Sequence, residues 1–109
     1  NEVHALAVDS QLNVYAGDYS KYATKLDSTG KQLWQWQASS PVNRVAVDSQ
    51  FNVYAGDYSN HVTKIDSTGK QLWQWTASST VHSVAVDSKF NVYTGDDSSY
   101  VTKLQTVKQ

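Results

Sequence analysis

The sequence predicts an all-β fold made of tandem repeats, and three observations support this prediction. A unit of 39 residues recurs along the 109-residue chain, so that residues 7–45 and 46–84 are identical at 30 of 39 positions. Each unit contains four short segments rich in β-branched and aromatic residues, which favour strands. No segment keeps the i, i+3, i+4 apolar spacing of a helix over a useful length.

The second unit shows the four predicted strands most clearly, at residues 43–47, 52–56, 61–65 and 71–75. Turn residues separate them. Asp48 and Asp66 each follow a strand, and an aspartate can accept a hydrogen bond from the backbone two residues on. Gly69 is placed to adopt a positive φ. Four strands joined by links of hairpin length form an antiparallel meander.

The side chains of these strands predict how the meanders stack. In the first strand Val45 and Val47 face one way and Ala46 faces the other, so neither face is polar. A sheet with one face in water would alternate apolar and polar residues, and each sheet is therefore expected to lie between two neighbours. The third strand carries a lysine in every unit (Lys25, Lys64 and Lys103), and the fourth alternates Trp with Gln, so we expect burial to decline from the first strand to the fourth.

A repeat of about 40 residues with four strands and two apolar faces is typical of a β-propeller blade. A stacked β-solenoid is the alternative, although its coils are usually shorter. By this interpretation blade 1 spans about residues 2–38, blade 2 about 41–77 and an incomplete blade 3 about 80–109. The chain then holds about 2.75 four-stranded blades in one array, residues 1–109.

Three blades do not close a propeller, which typically needs four or more. We therefore expect the chain either to be part of a longer propeller or to associate with copies of itself into a closed ring of six or nine blades, or into a filament. The chain starts at Asn1 and contains no Met, so we expect that it is processed, excised from a longer polypeptide or incompletely represented.

The residues of the second unit resemble two families of propeller blades. Pro-Val-Asn-Arg-Val-Ala-Val-Asp at 41–48, followed by Asn-Val-Tyr-Ala-Gly-Asp at 52–57, resembles the NHL blade. Asp-Ser-Thr-Gly-Lys-Gln-Leu-Trp-Gln-Trp at 66–75 is similar to the ending of blades in quinoprotein-like propellers. Both resemblances imply propeller architecture. The chain departs from the NHL pattern where Leu12, Phe51 and Phe90 replace the turn glycine before Asn.

Composition excludes several classes of protein. The net charge is −1 and the basic residues are spread evenly, so the chain lacks the basic patch of a nucleic-acid-binding protein. The apolar runs are far too short to insert into a membrane. There is no Cys, and hence no disulfide or thiolate metal site. The abundance of Asn, Gln, Ser and Thr with 12% aromatic residues resembles secreted bacterial repeat proteins, which slightly favours an extracellular location.

No catalytic, cofactor-binding or metal-binding residues are predicted. The chain contains no nucleophile elbow, phosphate-binding glycine loop or zincin motif. Its histidines (His4, His61 and His82) lack local ligand spacing. The repeated aspartates (Asp9, Asp48, Asp87, Asp18, Asp57 and Asp96) could ring an axis around a cation, but we favour turn capping because each sits at a strand end.

The aromatic residues are the candidates for contacts. Paired tryptophans on the fourth strand could bind a partner or pack between blades, and tyrosines near the loops could line a binding rim. These candidates are Trp34, Trp36, Trp73, Trp75, Tyr19, Tyr22, Tyr58 and Tyr100. The sequence thus predicts a non-enzymatic scaffold that acts through blade-to-blade contacts, with a protein or glycan as a candidate ligand. The alternatives are a fragment of a propeller enzyme, such as a quinoprotein dehydrogenase or lactonase-like hydrolase, and a lectin-like propeller.

Overall fold

The computed structural model describes residues 2–97 and 101–104. These residues contain eleven strands and no helix, so the all-β prediction is confirmed. The strands are β1 (Val3–Val8), β2 (Val14–Asp18), β3 (Tyr22–Leu26), β4 (Gln32–Gln37), β5 (Val42–Val47), β6 (Val53–Asp57), β7 (His61–Ile65), β8 (Gln71–Thr76), β9 (Val81–Val86), β10 (Val92–Asp96) and β11 (Val101–Leu104). In the described part of the chain, nothing has the length and apolar character of a membrane-spanning helix.

The strands form three antiparallel meanders, in which each strand pairs with the next along the chain. Blade 1 has the order β1-β2-β3-β4 and blade 2 the order β5-β6-β7-β8. Blade 3 has three strands within the described residues, in the order β9-β10-β11. The three sheets stack through their first strands, since β5 contacts β1 and β9 contacts β5. This is the stacking of propeller blades, as the repeat predicts.

Each blade has two different faces, and neighbouring blades pack one kind against the other. We call the first the aromatic face; it carries a small residue of the first strand, a tyrosine of the second strand and two tryptophans of the fourth. We call the second the valine face. Between blades 1 and 2 the aromatic face contributes Ala7, Tyr15, Ala23, Trp34 and Trp36, and the valine face contributes Val42, Val45, Val47, Val53 and Ile65. Between blades 2 and 3 the equivalent sets are Ala46, Tyr54, Val62, Trp73 and Trp75, and Val81, Val84, Val86, Val92 and Leu104.

A glycine on the second strand of each blade sets how closely two blades approach. An added Cβ at Gly17 would lie 2.5 Å from Cγ1 of Val42, and one at Gly56 would lie 2.9 Å from Cγ1 of Val81. No side chain larger than hydrogen fits at either position. Each valine is fully buried in the notch that the glycine provides. We call this contact the glycine notch.

The burial of blade 2 differs from the predicted decline from first strand to fourth. The second strand, β6, is buried at every position, whereas β5 is only partly buried. The first strand is an edge of its sheet, so one of its sides has no neighbouring strand. The third strand is also more buried than its lysines suggested, because Lys25 and Lys64 are buried between blades. The prediction of an outward gradient was therefore wrong, and burial is greatest in the middle of the blade.

Every unit uses the same hairpin turn between its first two strands. The backbone N–H of Phe51 donates to the carbonyl of Asp48, and Phe51 then adopts φ 67°. Leu12 and Phe90 have φ 67° and 66° at the equivalent positions. This left-handed region normally favours glycine, and it is the position where the chain departs from the NHL pattern. The turn has therefore kept the backbone conformation of a glycine without the glycine itself.

Candidate functional site

The four tryptophans lie between blades. Trp34 and Trp36 pack in the interface of blades 1 and 2, and Trp73 and Trp75 pack in the interface of blades 2 and 3. Trp34 also reaches a turn of the next blade, where its Nε1 donates to the carbonyl of Ser67 at 3.1 Å. The structure thus places these side chains in blade-to-blade contacts.

The repeated aspartate of the first turn anchors a buried polar cluster. In blade 2, Oδ1 of Asp48 accepts from the backbone N–H groups of Gln50 and Asn52 at 2.8 and 3.0 Å. Oδ2 accepts from the Asn52 amide at 3.0 Å and from the hydroxyl of Tyr54 at 2.7 Å. The same four bonds recur at Asp9 and Asp87. All three carboxylates are therefore committed to structural hydrogen bonds.

Hydrogen bonding fixes the charge of these groups. Burial alone would raise the pKa of Asp9, but bonds from Tyr15 and Asn13 outweigh burial and hold the pKa below its usual value. The backbone N–H of Asn91 and the hydroxyl of Tyr93 lower the pKa of Asp87 to about 2. Burial, together with the bond to Asp48, raises the pKa of Tyr54 far above its usual value. The Tyr54 hydroxyl is therefore neutral and donates the bond to Asp48.

A buried lysine completes the cluster in the interfaces. Nζ of Lys25 lies 5.4 Å from the ring centroid of Tyr15 in its own blade and 5.8 Å from that of Phe51 in the next blade. Nζ of Lys64 lies 5.6 Å from the ring of Tyr54. These are cation–π distances, which explains how an ammonium group is accommodated between two sheets.

The two ends of the array expose the faces that are buried inside it. Val3 of blade 1 is 53% exposed, whereas the equivalent Val42 and Val81 are fully buried. Leu6 and Val8 beside it are also exposed. At the other end, an added Cβ at Gly95 would meet, among residues 2–97 and 101–104, only the hydroxyl of Ser83, so no valine of these residues fills this glycine notch. The free valine face and the free notch are the two halves of the contact that occurs twice within the chain.

A second surface lies along the edge that carries the turns between second and third strands. We call it the rim. Tyr19 and Tyr58 occupy equivalent turns there and are exposed. Tyr22, at the start of β3, is half-buried. Tyr100, the remaining tyrosine predicted for this rim, lies outside the described residues. The structure therefore brings two of the predicted tyrosines, from neighbouring blades, to the same edge.

A β-bulge in the first strand of each blade identifies three equivalent residues that were not chosen as site candidates from the sequence. The register shifts by one residue at His4, Asn43 and His82, which are 39 residues apart. A bulge re-aims a side chain and often occurs beside binding sites. The ring of His4 lies 5.3 Å from that of Tyr19, and Nε2 of His82 is hydrogen-bonded to Oδ1 of Asp97. The equivalence of these residues is visible in the repeat, but the bulge itself is not.

Two of the bulge residues carry buried polar atoms without a hydrogen-bond partner. The Asn43 amide donates to the carbonyl of Val81 in the next blade at 2.8 Å, but its Oδ1 accepts no bond from the described part of the chain. Nε2 of His4 is likewise buried and unbonded, although it lies 3.8 Å from a carboxylate oxygen of Glu2. Unsatisfied polar atoms are costly, and they occur where a ligand or water would complete the site.

Comparison with known proteins decides the family. A family model of the PQQ_2 type, described as outer membrane protein assembly factor BamB, matches residues 2–106. The chain belongs to this family. The match supports the quinoprotein-type resemblance of the PQQ_2 repeat and does not extend to NHL specifically. No curated protein matches the chain.

The arginine and the two buried lysines of this PQQ_2 repeat chain are not free to bind an anionic quinone cofactor. Such a group needs basic residues or a metal ion to balance its charge. The single arginine, Arg44, donates to the carbonyl of Asn43, and Lys25 and Lys64 are buried against aromatic rings. Within residues 2–97 and 101–104, no three His, Asp or Glu side chains are grouped as metal ligands would be.

Proposed function

We propose that this PQQ_2-type chain is a non-catalytic scaffold that assembles with copies of itself, head to tail, through its blade faces. The observation that carries the proposal is the pair of free surfaces at the two ends of the array. The valine face of blade 1 has the residue pattern that fills the notches at Gly17 and Gly56, and at Gly95 the Ser83 hydroxyl, and no valine of the described residues, lies in the notch.

The physical driving force is the burial of apolar surface. Fully burying a valine or leucine side chain stabilises by about 1.5–3 kcal/mol. Val3, Leu6 and Val8 together would therefore contribute several kcal/mol towards the cost of association. Contiguous apolar surfaces of this kind mark interaction sites in proteins. Because the two halves of the contact differ, the interface is heterologous, and repeated contacts form a ring where the rotation closes.

The repeat itself supports a non-catalytic role. An enzyme site combines residues with different tasks, whereas blades 1 and 2 present nearly the same side chains. The carboxylates of Asp9, Asp48 and Asp87, which could act as acid or base, each accept a hydrogen bond from a tyrosine hydroxyl. The family description names an assembly factor and no reaction.

The proposal is tested by measuring mass in solution with two complementary variants. Val3→Asp places a charge on the valine face, and Gly95→Val fills the notch. We expect the wild-type chain to have the mass of several chains by size exclusion with light scattering, and each variant to have the mass of one chain. Tyr58→Asp is the matched control, because it adds the same charge on the rim and should leave assembly intact.

Mixing the two variants distinguishes head-to-tail contacts from any other. Each variant retains one intact half, so an equal mixture should form a complex of two chains and nothing larger. A folded wild-type chain that stays single at high concentration, or a mixture that does not pair, would show the proposal to be wrong. Circular dichroism of each variant checks that the sheets have formed.

The rim supports a second candidate function, binding of a glycan. Exposed Tyr19 and Tyr58 offer ring faces for stacking on sugars. The test is a glycan array with the labelled wild-type chain and a Tyr19→Ala, Tyr58→Ala double variant. Signals that the double variant loses support rim binding, and signals that it keeps argue against it.

A further inference from the structure

The fourth strand of each complete blade has one side that pairs with no other strand of the described residues. The sheet of blade 1 ends at β4, and the sheet of blade 2 ends at β8. Each of these strands is followed along the chain by a further described blade, so the two edges belong to the interior of the sequence. An edge strand presents N–H and C=O groups that can pair with a strand of another molecule.

These two outer strands lack most of the features that prevent pairing between edges. Proteins usually protect an edge with charged residues, a proline or a bulge. Residues 32–37 (Gln-Leu-Trp-Gln-Trp-Gln) and 71–76 (Gln-Leu-Trp-Gln-Trp-Thr) contain neither a charged residue nor a proline. A bulge occurs at Leu33 and at Leu72, where the register with the third strand shifts. The four residues after each bulge pair regularly with the third strand, so most of the edge is unprotected.

The side chains of the edge are already ordered by their own sheet. Nε2 of Gln35 donates to Oγ1 of Thr24 at 3.1 Å, and Nε2 of Gln74 donates to Oγ1 of Thr63 at 2.9 Å. Both glutamines are exposed, and the amide oxygen of a glutamine can accept a bond from a new neighbour. Little ordering is therefore needed before a strand adds, and a preformed site lowers the cost of binding.

The same strand of a second copy is a complementary partner for this edge. When two copies of β4 pair antiparallel about a two-fold axis at Gln35, that glutamine lies opposite its own counterpart. Trp34 of each copy then lies opposite Trp36 of the other, and cross-strand aromatic pairs stabilise a sheet. Lys31 lies opposite Ser39, so no like charges meet. Strand β8 shares the sequence Gln-Leu-Trp-Gln-Trp and has the same complementarity.

We infer that the outer strands β4 and β8 are self-association sites, at which each strand pairs antiparallel with the same strand of a second copy of the chain. The contact is isologous, because both copies contribute the same residues. Main-chain hydrogen bonds supply affinity in this mode, and alternate side chains supply specificity. The contact goes beyond head-to-tail assembly, since it uses the edges of the sheets and joins two arrays side by side.

The length of the edge determines how strong this contact is. Each outer strand has only six residues, whereas stable interfaces between proteins bury at least about 1,200 Å². A single pair of edges is therefore a weak and transient contact between two separate chains. Arrays that present several edges at once would associate more strongly through multivalency.

The test traps the transient pair with a disulfide, which is possible because the chain contains no Cys. In Gln35→Cys the two cysteines would lie directly opposite each other, with Cβ atoms about 4.5–5.5 Å apart, close to disulfide distance. Gln37→Cys is the matched control, because it changes an exposed glutamine of the same strand. Its two cysteines would be offset by four residues, or about 13 Å, which a disulfide cannot span.

We expect Gln35→Cys to form disulfide-linked dimers at least about tenfold faster than Gln37→Cys in a glutathione redox buffer. Gln74→Cys should reproduce the fast rate through β8. Gln50→Cys, at an exposed position of a turn, measures the rate of random collision. Equal rates for Gln35→Cys and Gln37→Cys, or a rate for Gln35→Cys no higher than that of Gln50→Cys, would overturn the inference. Circular dichroism checks that each variant is folded.

The measurement is made in the Val3→Asp background, which separates this inference from head-to-tail assembly. That variant lacks an intact valine face but retains both outer strands, so its cross-linking should keep the same dependence on position. Head-to-tail assembly without selective cross-linking would overturn only the edge contact. Selective cross-linking of a chain that never assembles head to tail would overturn only the assembly.

Discussion

The hydroxyl of Tyr54 donates a 2.7 Å hydrogen bond to Oδ2 of Asp48, and both residues are buried. The bond joins the second strand of a blade to the turn that precedes it. The same bond measures 2.6 Å between Tyr15 and Asp9, and 2.8 Å between Tyr93 and Asp87. The tyrosine therefore ties each turn to the interior of its own sheet.

Removing one such hydroxyl should destabilise the fold. In Tyr54→Phe the ring still fills the interface, but the buried carboxylate of Asp48 loses one of its four hydrogen bonds. We expect the free energy of unfolding to fall by about 1–3 kcal/mol. Urea denaturation measures the change. Tyr19→Phe, on the exposed rim, is the control and should leave the unfolding midpoint unchanged.

The aspartates predict a loss of stability in acid. The pKa of Asp87 is lowered to about 2 in the folded chain, and that of Asp9 is also lowered. A carboxyl whose pKa is lower when folded stabilises the fold above its unfolded pKa, and this contribution is lost as the pH falls through the folded pKa. The urea midpoint should therefore fall between about pH 5 and pH 2.

The substitution Asp87→Asn tests whether the turn aspartate causes this loss of stability in acid. Asp87→Asn removes the titrating group, so the midpoint of this variant should be lower at neutral pH and should change less on acidification. Glu2→Gln, at an exposed position, is the control. An unaltered pH profile in Asp87→Asn would contradict the assignment.

The left-handed turn residues predict opposite outcomes for two similar changes. Leu12 is exposed at φ 67°, so Leu12→Gly should relieve backbone strain and stabilise by up to about 1 kcal/mol. Phe51 has the same φ, but its ring lies 5.8 Å from Nζ of Lys25. Phe51→Gly should therefore be less favourable than Leu12→Gly by about 0.5–2 kcal/mol.

Thermal unfolding of the two glycine variants measures this difference. Leu12→Ala provides the reference, since it removes the side chain but keeps the strained φ. If Leu12→Gly proves no more stable than Leu12→Ala, then the strain at this turn is negligible.

The glycine notches predict that one change has different effects in different blades. Gly56→Ala would place a Cβ 2.9 Å from Cγ1 of Val81, inside a packed interface. We expect it to destabilise the chain by about 1–3 kcal/mol, as overpacking does. Gly95→Ala meets only the movable hydroxyl of Ser83 and should leave the folding of a single chain nearly unchanged. Urea denaturation of both variants in the Val3→Asp background removes the contribution of assembly.

Much of this fold could be predicted from the repeat, because alternation and turn residues are local properties. The third predicted strand, residues 61–65, has the bounds that the structure gives to β7. Capping by Asp48 was also predicted, since an aspartate after a strand acts on the backbone beside it. The positive φ of Phe51 had a signal too, because this residue stands where the NHL pattern has glycine.

Other features depend on contacts between distant residues and could not be predicted. The burial of Lys64 requires the neighbouring blade, which covers a strand that looks mixed on its own. The bulge at Asn43 requires knowledge of which residues pair across the sheet. The free notch at Gly95 is evident only by comparison with Gly17 and Gly56, whose notches are filled.

Because of the glycine notch, the contact between two neighbouring blades does not depend on how many blades the array contains. Both contacts between described blades use an equivalent valine and an equivalent glycine. Whole repeat units can therefore be gained or lost without requiring a new kind of interface. In the proposed head-to-tail assembly, the wedge angle between neighbouring sheets would determine the number of blades in a ring. Substitutions that alter this angle, and leave the contact between blades intact, would then change the size of such a ring or convert it into a fibre.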